Sequence, residues 1–153
     1  MDALIALLKK AINAVIAWIV QSGDMADVEG GDEGMMKWSD FSSIYSERGF
    51  REARKQNLSL EDTGALIHDY WCKAQQIAER DLSNESRLVV DYTAEKAEQH
   101  QALLVPYSAL DRGDQIKDLY IAYELDKDWF MSQPGADDII PMFKLHIHWV
   151  DWS

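Results

Sequence analysis

Four histidines, one cysteine and a cluster of arginines are the residues of this chain whose types and spacing bear on chemistry. His68 and Cys72 stand one helical turn apart with Trp71 between them. Cys72 has no histidine and acid beside it in a nucleophile signature, so a structural thiol, buried or half-buried, is expected. His146 and His148 alternate with Phe143, Leu145, Ile147 and Trp149, which places both imidazoles on one face of a strand. A His-x-His pair on a strand can begin a metal site, but a third ligand is needed. His68 and His100 stand at no recognised ligand spacing, so no metal is expected and His146 and His148 read as a half-exposed polar face. Arg48, Arg51 and Arg54, with Lys55, form the one basic island. Arg48, Arg51 and Lys55 share a helix face that would hold a phosphate or carboxylate through bidentate contacts. Glu47 four residues before Arg51, and Glu52 four after Arg48, equally make them ordinary surface pairs.

Three further motifs are absent. The acids Asp24, Asp27, Glu29, Asp32 and Glu33 do not follow the spacing of a calcium loop. No glycine-rich phosphate loop and no serine or cysteine nucleophile context occurs, so no catalytic residue and no cofactor is assigned.

The elements that must position these groups read as follows. Leu4, Ile5, Leu8, Ile12, Val15, Ile16 and Ile19 recur at helical spacing, predicting an amphipathic helix over residues 1–21. Lys9 and Lys10 in its middle oppose a membrane span, at roughly 3 kcal/mol each, and Asp2 is out of place in a signal peptide. This helix packs on its own domain, on a second copy or on a membrane surface, with membrane the least favoured. Residues 22–36 predict an acidic, glycine-rich linker. A single globular domain follows over 37–153. In it Phe41, Ile44 and Tyr45 mark a helix from Trp38 to Lys55. Leu66, Ile67, Tyr70, Trp71, Ala74, Ile77 and Ala78 mark a longer one from about Leu60 to Leu82, opened by Ser59 and Asp62 as a capping-box variant. Trp71 is expected to be packed on the edge of this stripe, and His68 to lie at its rim within reach of solvent, a carboxylate or a ligand. Leu88–Val90, Ala102–Val105 and the alternating tail predict short strands, with Pro106 ending the second. Asp111 reads as the N-cap of a helix that buries Ile116, Leu119, Tyr120 and Tyr123. The fold class expected is thus α+β and mainly helical: a small helical module with a minor antiparallel β-sheet, a C-terminal strand and an N-terminal amphipathic helix.

The chain has 153 residues, 47% of them hydrophobic and 10% aromatic, enough for one sizeable core. Its net charge of -12 excludes non-specific binding to nucleic acid, which depends on neutralising phosphates. A single cysteine excludes an internal disulfide and fits a reducing, cytoplasmic setting.

His68-Asp69-x-Trp71 on the long helix, then Val105-Pro106-Tyr107-x-x-Leu110, then Gln115-x-Lys117-Asp118-Leu119 together resemble the ryanodine receptor (RyR) domain. That module is repeated in the large calcium-release channels and is also found in short bacterial and phage proteins. The resemblance spans roughly residues 60–125. The Gly-Trp-x-Tyr-Gly segment usual between the two halves is replaced by ERDLSNESRLVVDYTAEKAEQH. The resemblance implies a compact helical module with minor β-structure and no catalytic residues, one that binds a small, nucleotide-derived ligand or a protein partner. The site residues expected are His68, Trp71 and Tyr107, with Arg48, Arg51 and Arg54 drawing a small anionic ligand; Tyr107 serves equally as a core corner residue. A homo-oligomer is expected through the N-terminal helix. The competing expectation is a structural or assembly protein that uses this helix and the Trp-rich tail as interfaces.

Overall fold

The computed structural model of the protein describes residues 36–83 and 88–152. The expected N-terminal helix and all of the linker except Met36 lie outside them.

Six helices follow one another along the described chain, beginning with α1, Trp38–Lys55, and α2, Leu60–Arg80. Ser59 starts α2 as expected, its side chain accepting from the backbone N–H of Asp62 at 3.2 Å. The start of α1 has no cap on its own side chains. Its first N–H donates instead to the carboxylate of Asp91, 2.6 Å away and 53 residues on. Among the described residues the two helices make the most extensive pairing, and Gly49 lets them close. A Cβ there would meet the Leu66 carbonyl oxygen at 2.9 Å and the Ile67 Cα at 3.0 Å.

Beyond α2 come α3, Ala94–His100, and two single turns at Gln101–Leu103 and Tyr107–Ala109. Then α4, Arg112–Leu125, is capped by Asp111, which accepts from the Asp114 N–H at 3.0 Å. Asp126 caps the short α5, Lys127–Ser132, and Gly135 at φ 88 turns the chain into α6, Ala136–His146.

Among the described residues the core has two parts, with α2 as their common wall. One gathers Phe41, Tyr45, Tyr70, Ile77, Tyr92 and Leu104; the other gathers Ile67, Ile116, Leu119, Phe130, Phe143 and Ile147. A helix used on two sides needs more than a narrow apolar stripe, and so the polar Thr63, His68 and Gln75 of α2 are also buried.

The expected β-sheet is corrected: among the described residues there is no strand, only one parallel bridge between Met36 and Val89. Ala102–Val105 has no neighbouring strand, and its carbonyls turn toward α2, where Val105 accepts from His68. The expected C-terminal strand is corrected too. Residues up to His146 belong to α6, which runs through Pro141 on its exposed side. Of the four alternating apolar residues, Phe143 and Ile147 are buried, while Leu145 is 68% and Trp149 64% exposed. A strand face would bury Leu145 with them; burial at i and i+4 with i+2 exposed is the helical pattern.

Candidate functional site

His68 and Asp118 meet where α2 crosses α4. Neither belongs to an apolar stripe, yet His68 is only 3% exposed and Asp118 7%. The Nε2 of His68 lies 2.9 Å from the Val105 carbonyl oxygen. A carbonyl only accepts, so Nε2 carries a hydrogen and donates. The other ring nitrogen, Nδ1, lies 3.3 Å from Asp118 Oδ2. This is an ion-pair distance, and among the described residues Oδ2 has no conventional hydrogen-bond donor. Two bare acceptors would repel at that distance, so the pair holds a proton between them. Burial works against a charge on His68, but Asp118 and Cys72 beside it outweigh burial and push the imidazole up to about 11. Burial pushes the Asp118 carboxyl up, with His68 opposing. Half-buried Asp69 on the next position of α2 is pushed up to about 6, again by burial, with the His68 charge opposing and that of Asp118 adding.

Cys72 completes a sequence of groups that has the order nucleophile, base, acid. Its Sγ lies 3.4 Å from His68 Nε2. The thiol is 1% exposed, however, and does not reach the cleft described below. Burial pushes its pKa up against the pull of His68, which leaves it a thiol and a poor nucleophile. The structural role expected of Cys72 agrees with this placement.

Above the pair opens a cleft of about 220 Å³. Its apolar walls are Trp71, Leu103, Leu110, Ile121 and Trp149. Its polar groups are His68 and Asp118 at the floor and the Asp114–Lys117 ion pair, at 3.3 Å. The Trp71 indole stacks on His68 at 5.9 Å between centroids and 14° between planes. Its other neighbours are Trp38 and His100, both edge-on, at 6.0 and 5.2 Å. Trp71 is packed as expected, though half-buried, whereas His68, expected at the rim, is buried. The cause is simple, since α4 and the Val105 segment cover the flank of α2 on which His68 sits.

Tyr107 is buried beside this site and does not line the cleft. Its hydroxyl donates to Glu61 Oε2 at 3.0 Å, and Arg112 pairs with the same carboxylate. The Gln115 side-chain amide donates to the Tyr107 carbonyl at 2.8 Å. The Val-Pro-Tyr corner is thus tied to the starts of both α2 and α4, in the corner role weighed for it.

The basic island occupies different ground. Arg51 and Arg54 line an open groove with Glu47, Phe50 and Asp126, and this groove shares no residue with the cleft. Arg51 pairs with Glu47, as its spacing suggested, and Arg54 pairs with Asp126 at 3.3 Å while lying 4.5 Å over the Trp129 ring. Arg48 lies 5.5 Å over Tyr45. His146 and His148 border a third depression with Asp111, Gly113, Asp114 and Lys117. Among the described residues no group of three or more His, Cys, Asp or Glu is arranged to hold a metal ion. Among them, too, no helix is long and apolar enough to cross a membrane.

Sequence reasoning named Asp118 as part of a motif but gave it no role; the residue that completes the floor was missed. Comparison with family models, with curated proteins and with solved structures gives no match for this chain.

Proposed function

We propose that this protein is a non-enzymatic binding module of the RyR-like class, taking a small ligand in the cleft between Trp71 and Trp149. One observation carries the reading: a buried His68–Asp118 pair forms the floor of an otherwise apolar cleft. Buried ion pairs are costly to build, and replacing them with apolar groups is often neutral or stabilising. An apolar cleft with a few convergent polar groups and perturbed titrating residues is the usual form of a ligand site. The residues that carry the resemblance to the RyR domain also converge on it. His68 of the first half meets Asp118 and the Val105 carbonyl of the second, and Trp71 forms a wall. The withdrawn, protonated Cys72 favours binding over turnover.

A thermal-shift screen of the full chain tests this, using nucleotides, cyclic dinucleotides, ADP-ribose-type compounds and one- and two-ring fragments. A ligand at 100 times its Kd adds about 2.7 kcal/mol of stability. The expected result is a shift from at least one class that disappears in Trp71→Ala; a flat response to every compound overturns the proposal.

A second reading is assembly through the Trp-rich tail, favoured by the exposure of Leu145 and Trp149. Light scattering on Leu145→Glu decides it, since a mass equal to that of the unaltered chain would remove the tail as an interface.

A further inference from the structure

The cleft's two cations both face carboxylates of its own wall. Lys117 Nζ lies 3.3 Å from Asp114 Oδ1, and His68 Nδ1 lies 3.3 Å from Asp118 Oδ2. An anionic ligand therefore meets no unpaired positive charge among the described lining residues, and it approaches a chain of net charge -12. The acceptor side is the reverse. The Asp118 carboxylate lines the cleft floor, with its Oδ2 enclosed against the His68 imidazolium. A carboxylate at the end of an apolar cleft favours a ligand that brings it an N–H donor.

The walls add shape. Trp71 and Trp149 offer indole surface, and Leu103 and Ile121 offer aliphatic surface. Aromatic walls favour flat ligands through ring packing, and their faces favour positive over negative charge. The volume, about 220 Å³, lies below the range of about 300–1,000 Å³ usual for drug-sized ligands. It suits one or two fused rings.

Resting on the cleft as the binding site, we infer that its ligand is a planar one- or two-ring nitrogen heterocycle that carries no negative charge and presents an N–H donor to Asp118. The donor edge points to the floor, the ring lies along Trp71, and Trp149 covers the outer side. The arginine groove is separate ground: its Arg51 and Arg54 are themselves paired with Glu47 and Asp126, and it shares no residue with this cleft.

The test uses the full chain, ¹⁵N-labelled, and follows the tryptophan indole N–H signals in two-dimensional NMR. Two probes share a ring system: 2-aminobenzimidazole, which supplies N–H donors, and benzimidazole-2-carboxylate, which supplies a negative charge. The amine is expected to shift the Trp71 and Trp149 signals saturably while leaving Trp129, beside Arg54, unmoved, and to bind at least tenfold more tightly than the carboxylate. Asp118→Asn is expected to weaken it about tenfold. Because that variant alters a buried pair, Trp149→Ala provides a second arm: Trp149 is 64% exposed, so the fold is kept and amine binding falls several-fold. If the carboxylate shifts Trp71 and Trp149 as strongly as the amine or more so, the ligand class is overturned and the cleft stands as the site. If neither probe moves those two signals, both the class and the cleft fall.

Discussion

Asp118 neutralises a histidine that the fold has already enclosed, and it forms part of the cleft floor. Its truncation would leave the His68 imidazolium without its counter-charge. Asp118→Ala is therefore expected to cost about 3–5 kcal/mol, the penalty of an uncompensated buried charge, read as a lower urea midpoint at constant slope. Tyr107→Phe is the contrasting case. Its hydroxyl bond to Glu61 lies outside the cleft and leaves a half-exposed carboxylate that keeps Arg112. The expected cost is about 1 kcal/mol, typical of one hydrogen bond, with ligand binding unchanged; a loss of binding equal to that of Trp71→Ala would return Tyr107 to the site. At this scale the sequence was legible only in part. His68 and Trp71 were named because they stand at the edge of a helical stripe. The role of Asp118 was not legible, because a carboxylate on a helix reads as solvent-facing until the helix that buries it is placed. That contact joins residues fifty positions apart, and no local spacing encodes it.

Gly49 carries the equivalent weight for the elements. At an exposed helix position, glycine to alanine stabilises by up to about 1 kcal/mol, because alanine loses less backbone freedom. Here the added carbon would stand 2.9 Å from a backbone oxygen of α2, which cannot rotate away as a side chain can. Gly49→Ala is thus expected to destabilise by about 2–3 kcal/mol, the upper part of the range for overpacked cores. Denaturant midpoints settle the sign; a more stable variant would mean that α1 and α2 part without cost. The helices themselves were well marked. α1, α2 and α4 combine apolar period with Ser59 or Asp111 as caps, or with a clear charge change at the C-terminal end, and their bounds fall where those signals stand. The tail misled for a physical reason. Phe143 and Ile147 satisfy both the two-residue and the four-residue period, and Pro141 resembles a boundary. What separates the two is the burial of Ala136 and Ile139 upstream, which only the packing against α4 decides. The short Ala102–Val105 segment was read as a strand from its apolar content, yet a strand needs a partner, and α2 side chains take its carbonyls instead.

Across the whole molecule these charges act together on pH dependence. His68 titrates near 6.5 when unfolded and is raised to about 11 in the fold. Its contribution is therefore complete below pH 6.5 and is lost as pH rises toward 11. Asp69 is raised from 3.8 to about 6, so its contribution is complete below pH 3.8 and is lost as pH rises through 6. Both have the same sign: the folded state holds more protons than the unfolded one, so stability falls with rising pH. A net charge of -12 adds to the trend, because self-repulsion grows as carboxylates ionise. Many proteins are most stable between about pH 5 and 8; this one is expected at the acid end, with stability declining by about 1 kcal/mol per pH unit or more between 7 and 9. There folded His68 keeps a proton the unfolded chain has lost, and buried Cys72 adds to the decline as the unfolded thiol begins to ionise. Urea unfolding at pH 5.5, 7 and 9 measures the decline. His68→Gln isolates its source: the variant should be less stable at pH 7 and should reduce the slope between 7 and 9, while the Asp69 step persists and moves upward once the opposing His68 charge is gone. An unaltered slope between 7 and 9 in that variant would place the proton elsewhere than on the buried pair, and with it the charge that makes the floor of the cleft.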